Sequence, residues 1–324
     1  MPENLDDQLT TYLTDAHSIE EQALVQLRRA PDVAGDPALA RIFSEHLTET
    51  ERQEQLVGER LEARGASPSR LKDTVMQAGG FAFVLFARSQ PDTPGKLTAH
   101  AFSYEHLELA GYELLRRVAE RAGDAETAAV AARIADEERA MAGRLAEHFD
   151  EAADASLESV GDDDLGERVA KHLADAHAIE AQAIQLLERA PKIAGDEELA
   201  RLYTEHLEET REQQRLVEER LEALGASPNR LQDAAMRLGA LNWGVFFQAQ
   251  PDTPGKLAAF AFAFEHLEIA GYELLKRVAR RAGDEATARL ADRILEQERA
   301  AAAKIAAAFD RAATASLEAQ EVAA

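Results

Sequence analysis

A tandem duplication constrains this chain more than any other feature. Asp15-Ala16-His17 returns as Asp175-Ala176-His177, and the run Pro91 to Leu97, PDTPGKL, returns at Pro251 to Leu257. The offset is 160 residues in both cases. It holds without a gap from residue 15 to residue 150, and 80 of those 136 positions are identical. A period this long is a whole domain copied, not a short-repeat solenoid. The 324 residues therefore divide into two domains of ordinary size. The sequence places them at 1–150 and 165–324, with 151–164, rich in Ala, Asp, Ser and Gly, as the joint.

Composition removes several classes of function. The chain carries 60 Asp and Glu against 36 Lys and Arg, a formal net charge of -24. That surface repels phosphate backbones and anionic lipid, so neither nucleic acid nor membrane is an expected partner, and it attracts cations. Cysteine is absent. Its absence excludes disulfides, thiolate catalysis, Fe–S clusters and thiolate-bound zinc, and it fits a cytoplasmic location. The acidic start, MPENLDDQL, does not read as a signal peptide. The longest apolar stretch, Gly79–Ala87, is far too short for a membrane span.

Each copy reads as four long helices, rich in Ala, Leu, Glu, Arg and Gln. The first runs from Leu5 to Ala30 and stops at Pro31. The second follows Gly35, with Asp36 as N-cap, and runs to Arg64 before Gly65. Thr93-Pro94 opens the third, which ends near Ala122-Gly123, and Asp124 caps the fourth, which reaches Asp150. Short first and third connections make antiparallel hairpins. The long connection at 66–92 contains an apolar segment, Met76–Phe86, which reads as an extra short helix. A crossover of that length delivers the third helix parallel to the second. The expected fold is all-α: two tandem ferritin-like four-helix bundles.

Carboxylates interrupt the apolar stripes. The first helix reads Leu9, Leu13, Ala16, Glu20, Ala23, Leu27; the second reads Leu39, Ile42, His46, Glu49, Gln53, Leu56. The third reads Leu97, Ala101, Tyr104, Glu108, Gly111, Leu115, flanked by Glu105. The fourth reads Ile134, Glu138, Met141, Leu145, Phe149. Measured from the turn centres Val33 and Gly123, Glu20 lies 13 residues before and Glu49 16 after, Glu108 15 before and Glu138 15 after. All four therefore stand about 20 Å from one end of the bundle. Burying such a layer unpaired costs several kcal/mol per ion, by rough estimate. Two divalent cations per repeat neutralise four carboxylates; oxygen ligands with imidazole suit iron or manganese and permit zinc. The second copy keeps Glu180, His206, Glu209, Glu265, His266, Glu268 and Glu298 at matching positions. His17, His177, Tyr112 and Tyr272 are additional candidates. The same residues also permit a metal-free structural bundle, its central acids protonated or bonded to His17 and His46.

The segments His46-Leu47-Thr48-Glu49-Thr50 with Gln53, Glu105-His106-Leu107-Glu108-Leu109-Ala110-Gly111-Tyr112, and Asp136-Glu137-Glu138-Arg139, together with Glu20, resemble the ferritin-like YciF-type family of bacterial stress-associated proteins. The resemblance implies a rubrerythrin-like dinuclear site held by Glu20, His46, Glu49, Glu105, His106, Glu108 and Glu138 and their second-copy counterparts. It also implies a dimer of single domains, so that two repeats on one chain dock as a pseudo-dimer. The apolar residues Phe81, Phe83, Leu85 and Phe86, with Leu241, Trp243, Val245 and Phe246 in the second copy, are the expected contact. Fe(II) oxidation or peroxide or O₂ turnover at the metal pair is the expected chemistry; storage of metal without turnover is the rival. The chain departs from the common Glu-x-x-His pattern. Arg52, Glu212, Met141 and Ala301 stand three residues after Glu49, Glu209, Glu138 and Glu298.

Overall fold

The computed structural model describes residues 5–67, 93–158, 161, 164–227 and 253–322. Among the described residues the regular structure is helical throughout. The first repeat comprises α1 (Leu5–Leu27), α2 (Ala30–Val33), α3 (Pro37–Ala63), α4 (Thr93–Ala122), α5 (Ala125–Glu147) and α6 (Phe149–Leu157). The second comprises α7 (Leu165–Leu187), α8 (Ala190–Ile193), α9 (Glu197–Ala223), α10 (Thr253–Arg281), α11 (Glu285–Ala307) and α12 (Phe309–Val322). They belong to two compact units, Met1–Glu158 and Ser159–Ala324. None of the described helices is long and apolar enough to cross a membrane. The apolar segment Met76–Phe86, and the expected contact residues Phe81, Phe83, Leu85, Phe86, Leu241, Trp243, Val245 and Phe246, lie outside the described residues.

Local chemistry sets the helix ends. The Asp36 carboxylate accepts from the amides of Ala38 (2.7 Å) and Leu39 (3.0 Å), satisfying two donors that the first turn of α3 leaves open. Asp196 does the same for α9, at 2.9 Å each. Asp124 caps α5 through the Thr127 amide (2.9 Å) and also receives Arg60 (3.0 Å) and Arg64 (2.9 Å) from the end of α3. One aspartate thus starts one helix and ties down the end of another. Two boundaries differ from the sequence reading. Helix α1 ends at Leu27, because Pro31 opens the separate turn α2 instead of merely stopping the first helix. The fourth helix breaks at His148, so residues 149–157 form α6 within the first unit and are not part of the joint. The seryl hydroxyl of Ser156 on α6 accepts from the Gly95 amide at the start of α4 (2.7 Å), and Phe149 packs edge-on against Phe102.

Cross-helix contacts give the topology. Glu20 meets Tyr112, and Gln22 meets Tyr104, so α1 and α4 run antiparallel. Glu49 meets Arg144, Gln53 meets Glu138 and Arg60 meets Asp124, so α3 and α5 are antiparallel too. With α1 and α3 joined as a hairpin, α3 and α4 are parallel: up, down, down, up with one long crossover, the ferritin-like order. The second repeat keeps the pattern through Glu180–Tyr272, Gln213–Gln297 and Arg220–Asp284.

The bend before α3 depends on a glycine. Gly35 has φ +73, and a Cβ there would lie 2.6 Å from Pro94 Cγ and 3.2 Å from Ala155 Cβ. Gly65 has φ +71 with open space around it. Gly65→Ala should therefore cost about 1 kcal/mol for the left-handed backbone alone. Gly35→Ala should cost about 2–3 kcal/mol, because it adds a clash against two elements. Denaturant midpoints of the two variants check the ordering.

Candidate metal centre

Polar residues occupy the middle of each bundle where leucines hold its ends. In α1, Glu20 is buried on the same face as Leu13 and Leu27. Helix α4 buries both Glu105 and Glu108, and α5 buries Glu138 between Ile134 and Met141. Helix α3 brings His46, Thr50 and Gln53 inward. Its buried face runs 39, 42, 43, 46, 50, 53, 57, 61, so Thr50 and Val57 replace Glu49 and Leu56 in the expected stripe. Glu49 stands at the rim with its side chain 31% exposed. The expectation of four mid-stripe glutamates, one per helix, is corrected accordingly: α3 contributes an imidazole at depth, and α4 contributes two carboxylates. Glu105, expected about one turn from the layer, belongs to it because residues three apart share a helix face.

Ligand atoms of His46, Glu105, Glu108 and Glu138 lie within 4.8 Å of one another, all buried. The second repeat repeats the cluster with His206, Glu265, Glu268 and Glu298. His46 Nδ1 faces Glu49 Oε2 at 3.1 Å, while Nε2 lies 3.0 Å from Glu105 Oε2 and 3.6 Å from Glu138 Oε2. In the second centre His206 Nε2 is 2.9 Å from Glu265 Oε1. Glu20 sits beside the four, its carboxylate bonded by the Tyr112 hydroxyl; Tyr272 donates to Glu180 at 2.5 Å. Gln53 donates to Glu138 at 2.5 Å. Several buried oxygens have no hydrogen-bond partner among the described residues: Glu20 Oε2, Glu108 Oε1 and Glu138 Oε2 in the first centre, where Glu105 Oε2 has the His46 ion pair. In the second these are Glu180 Oε2, Glu265 Oε2 and both oxygens of Glu268 and Glu298. Orphaned buried carboxylate oxygens are costly, and a cation removes that cost. The donor set, several carboxylates and one imidazole, fits a divalent metal.

The remaining candidates fall elsewhere. His106 and His266 are half-buried, each with Nδ1 donating to a carbonyl one turn back, Phe102 or Phe262, at 2.7 Å, and neither joins a His/Glu cluster among the described residues. His17 is drawn into a separate, shallower group with Glu21 and Glu54, its Nε2 2.9 Å from Glu54 Oε1. Neither Glu54 nor Arg144 stands out in the sequence, yet Arg144 grips Glu49 through both oxygens at 2.5 and 3.3 Å. Both pair across helices, so their own helix periodicity carries no sign of it. The second repeat has Ala181 and Gln214 in place of Glu21 and Glu54, and there an open pocket of about 220 Å³ borders both residues.

These features define an all-helical bundle protein with a buried His/Glu cluster in each half that could hold a metal ion. The chain belongs to the family described as "Domain of unknown function (DUF892)", which matches residues 4–158 and 164–318, one match per repeat. No solved structure matches the chain.

Electrostatics follows from burial. Glu20 is pushed up to about 8, chiefly by burial, although the Tyr112 hydrogen bond and the His46 charge pull it down. Glu180 also rises to about 8, again by burial first. Burial, then the neighbouring carboxylates, holds Glu108 and Glu138 well above the carboxylate range. For His46 burial favours the neutral ring, but Glu105 and Glu49 outweigh it and raise the imidazole to about 9. Glu49 drops to about 2, first through its bond with His46 and then, against some burial, through Arg144. In the metal-free chain the raised groups bind more protons folded than unfolded. Their stabilisation is complete below the unfolded value and is lost as pH rises, from 4.5 to about 8 for Glu20 and from 6.5 to about 9 for His46. Glu49 acts oppositely, losing its contribution as pH falls from 4.5 to about 2. The thermal midpoint of chelator-treated protein should therefore fall steadily from pH 5 to pH 9. A rise over that range would contradict the assignment.

Proposed function

We propose that each repeat holds a pair of divalent cations, iron or manganese, and that the protein oxidises Fe(II) or turns over peroxide or O₂ there, in a role connected with oxidative stress. The orphaned carboxylate oxygens carry this reading: Glu20, Glu108 and Glu138 are buried at the centre of a bundle, each with an oxygen that no donor among the described residues satisfies, and Glu105 has only the His46 imidazole. In this reading His46, Glu105, Glu108 and Glu138 are the principal ligands, Glu20 joins from α1 and Glu49 from the rim. The counterparts are His206, Glu265, Glu268, Glu298, Glu180 and Glu209. Bound there, iron or manganese would supply electron transfer to peroxide or O₂.

The chain's own residues do the rest. The Tyr112 hydroxyl orients Glu20 and the Gln53 amide orients Glu138, leaving one oxygen of each unpartnered. The apolar ends of the stripes, Leu13 and Leu27 on α1 and Ile134 and Leu145 on α5, restrict water. Glu20, pushed up to about 8, carries a proton near neutral pH, and burial pushes Glu108 and Glu138 in the same direction. Metal uptake displaces those protons, so affinity should rise with pH. The same proposal includes a cytoplasmic setting and docking of the repeats as a pseudo-dimer, supported by the absence of cysteine and by the tandem arrangement.

Reconstitution with Fe(II) or Mn(II) should approach four metal ions per chain by elemental analysis. Glu108→Gln with Glu268→Gln should remove most of that metal while far-UV circular dichroism stays helical. Failure of Fe(II), Mn(II) and Zn(II) alike to bind would leave the metal-free bundle, its acids held by protons and by His46. Loaded protein that consumes hydrogen peroxide over many equivalents is an enzyme. Consumption that stops at the metal stoichiometry marks a store.

A further inference from the structure

The two centres share their buried residues but not the donors that already hold them. In the first repeat Arg144 binds both oxygens of Glu49, at 2.5 and 3.3 Å, and His46 Nδ1 adds a contact at 3.1 Å. In the second repeat residue 304 is a lysine, its Nζ 3.8 Å from Glu209 and its side chain half exposed, and His206 Nδ1 is 3.4 Å away. A two-point guanidinium grip on a carboxylate is stronger and more directional than a loose ammonium contact. Glu138 shows the same contrast. Gln53 donates to Glu138 at 2.5 Å and to Glu137 at 3.1 Å, and Arg52 closes the network on Glu137 at 2.8 Å. In the second repeat Gln297 and Glu212 stand where Glu137 and Arg52 stood. The Gln213 amide turns to Gln297 at 3.4 Å, and both oxygens of Glu298 and of Glu268 are buried without partners.

We propose that the two centres are inequivalent: the second repeat takes up divalent cations ahead of the first, and Arg144 is the residue that holds the first centre back. The inference rests on the metal reading above. A cation entering the first centre must displace the guanidinium to recruit Glu49 and must compete with the Gln53 amide for Glu138. His206 claims Glu265 at 2.9 Å as His46 claims Glu105 at 3.0 Å, so that pair does not separate the centres; apart from it, a cation entering the second centre meets carboxylates with fewer prior claims and a rim with one arginine changed to lysine and another to glutamate. Arg144 thereby acts as a positioning residue, working through Glu49 and not by touching the cation.

Co(II) titrations of the full chain test this by equilibrium dialysis and by the cobalt absorption bands. Glu108→Gln with Glu138→Gln leaves only the second centre; Glu268→Gln with Glu298→Gln leaves only the first. The second centre should bind Co(II) about tenfold more tightly, the difference between a bidentate charge-assisted pair and a loose surface one. Arg144→Lys should tighten the first centre severalfold, and Lys304→Arg should weaken the second. If the paired substitutions unfold a repeat, the wild-type chain still serves: its two-phase isotherm should merge toward one phase on Arg144→Lys. Equal affinities, the reverse order, or affinities indifferent to Arg144→Lys and Lys304→Arg would overturn the inference while leaving the metal reading intact. Absence of Co(II) binding in the wild-type chain would overturn both.

Discussion

The burial of several carboxylates around one imidazole, halfway along a helical bundle, is the constraint on which the rest of each repeat depends. Glu20, Glu105, Glu108 and Glu138 are almost fully inaccessible, and so is His46. No arrangement of four ionised carboxylates is tolerable there without compensation. The protein compensates in part with protons, in part with hydrogen bonds from Tyr112 and Gln53, and in part with the charge of His46. What these leave unsatisfied is a set of buried oxygens that could hold a cation.

A bundle with a polar middle must draw its stability from its ends. Leu9, Leu13, Leu39, Leu61, Leu115 and Ile134 are completely or almost completely buried above and below the cluster. The Asp124 network adds a polar clasp where α3 ends and α5 begins, combining an N-cap with two arginine pairs. At the other end α6 closes over α4 through Ser156 and Phe149. The second repeat keeps the cap on Asp284 with one of the two arginine pairs, Arg220, Leu224 standing in place of Arg64, and it keeps Ser316 with Gly255. The parts that hold the frame are thus repeated closely, while the partners around the cluster vary: Arg144 becomes Lys304, Glu137 becomes Gln297, and Glu21 becomes Ala181. A duplication turns that variation into an internal comparison, one scaffold carrying two differently held carboxylate sets.

By itself the sequence determined what local rules control. The 160-residue offset declared two domains, and Asp36, Gly65, Asp124 and Gly123 marked helix ends, because caps and left-handed turns involve residues a few positions apart. The 3.6-residue period placed Glu20 and Glu138 on buried faces. The same period was ambiguous in α3, where His46, Thr50 and Gln53 turn inward and Glu49 stays at the rim; a one-residue shift of the stripe is a rotation of only 100°, and burial settles it only when a neighbouring helix is present. Tertiary structure alone decided that Glu105, a ligand candidate by resemblance but one turn off the layer by helix height, shares the level of Glu108, that His17 finds Glu54, and that Arg144 reaches across to Glu49. Those choices depend on which helices are neighbours and at what height they cross, and a pairing between residues 95 positions apart, such as Glu49 with Arg144, leaves no periodic trace in either helix.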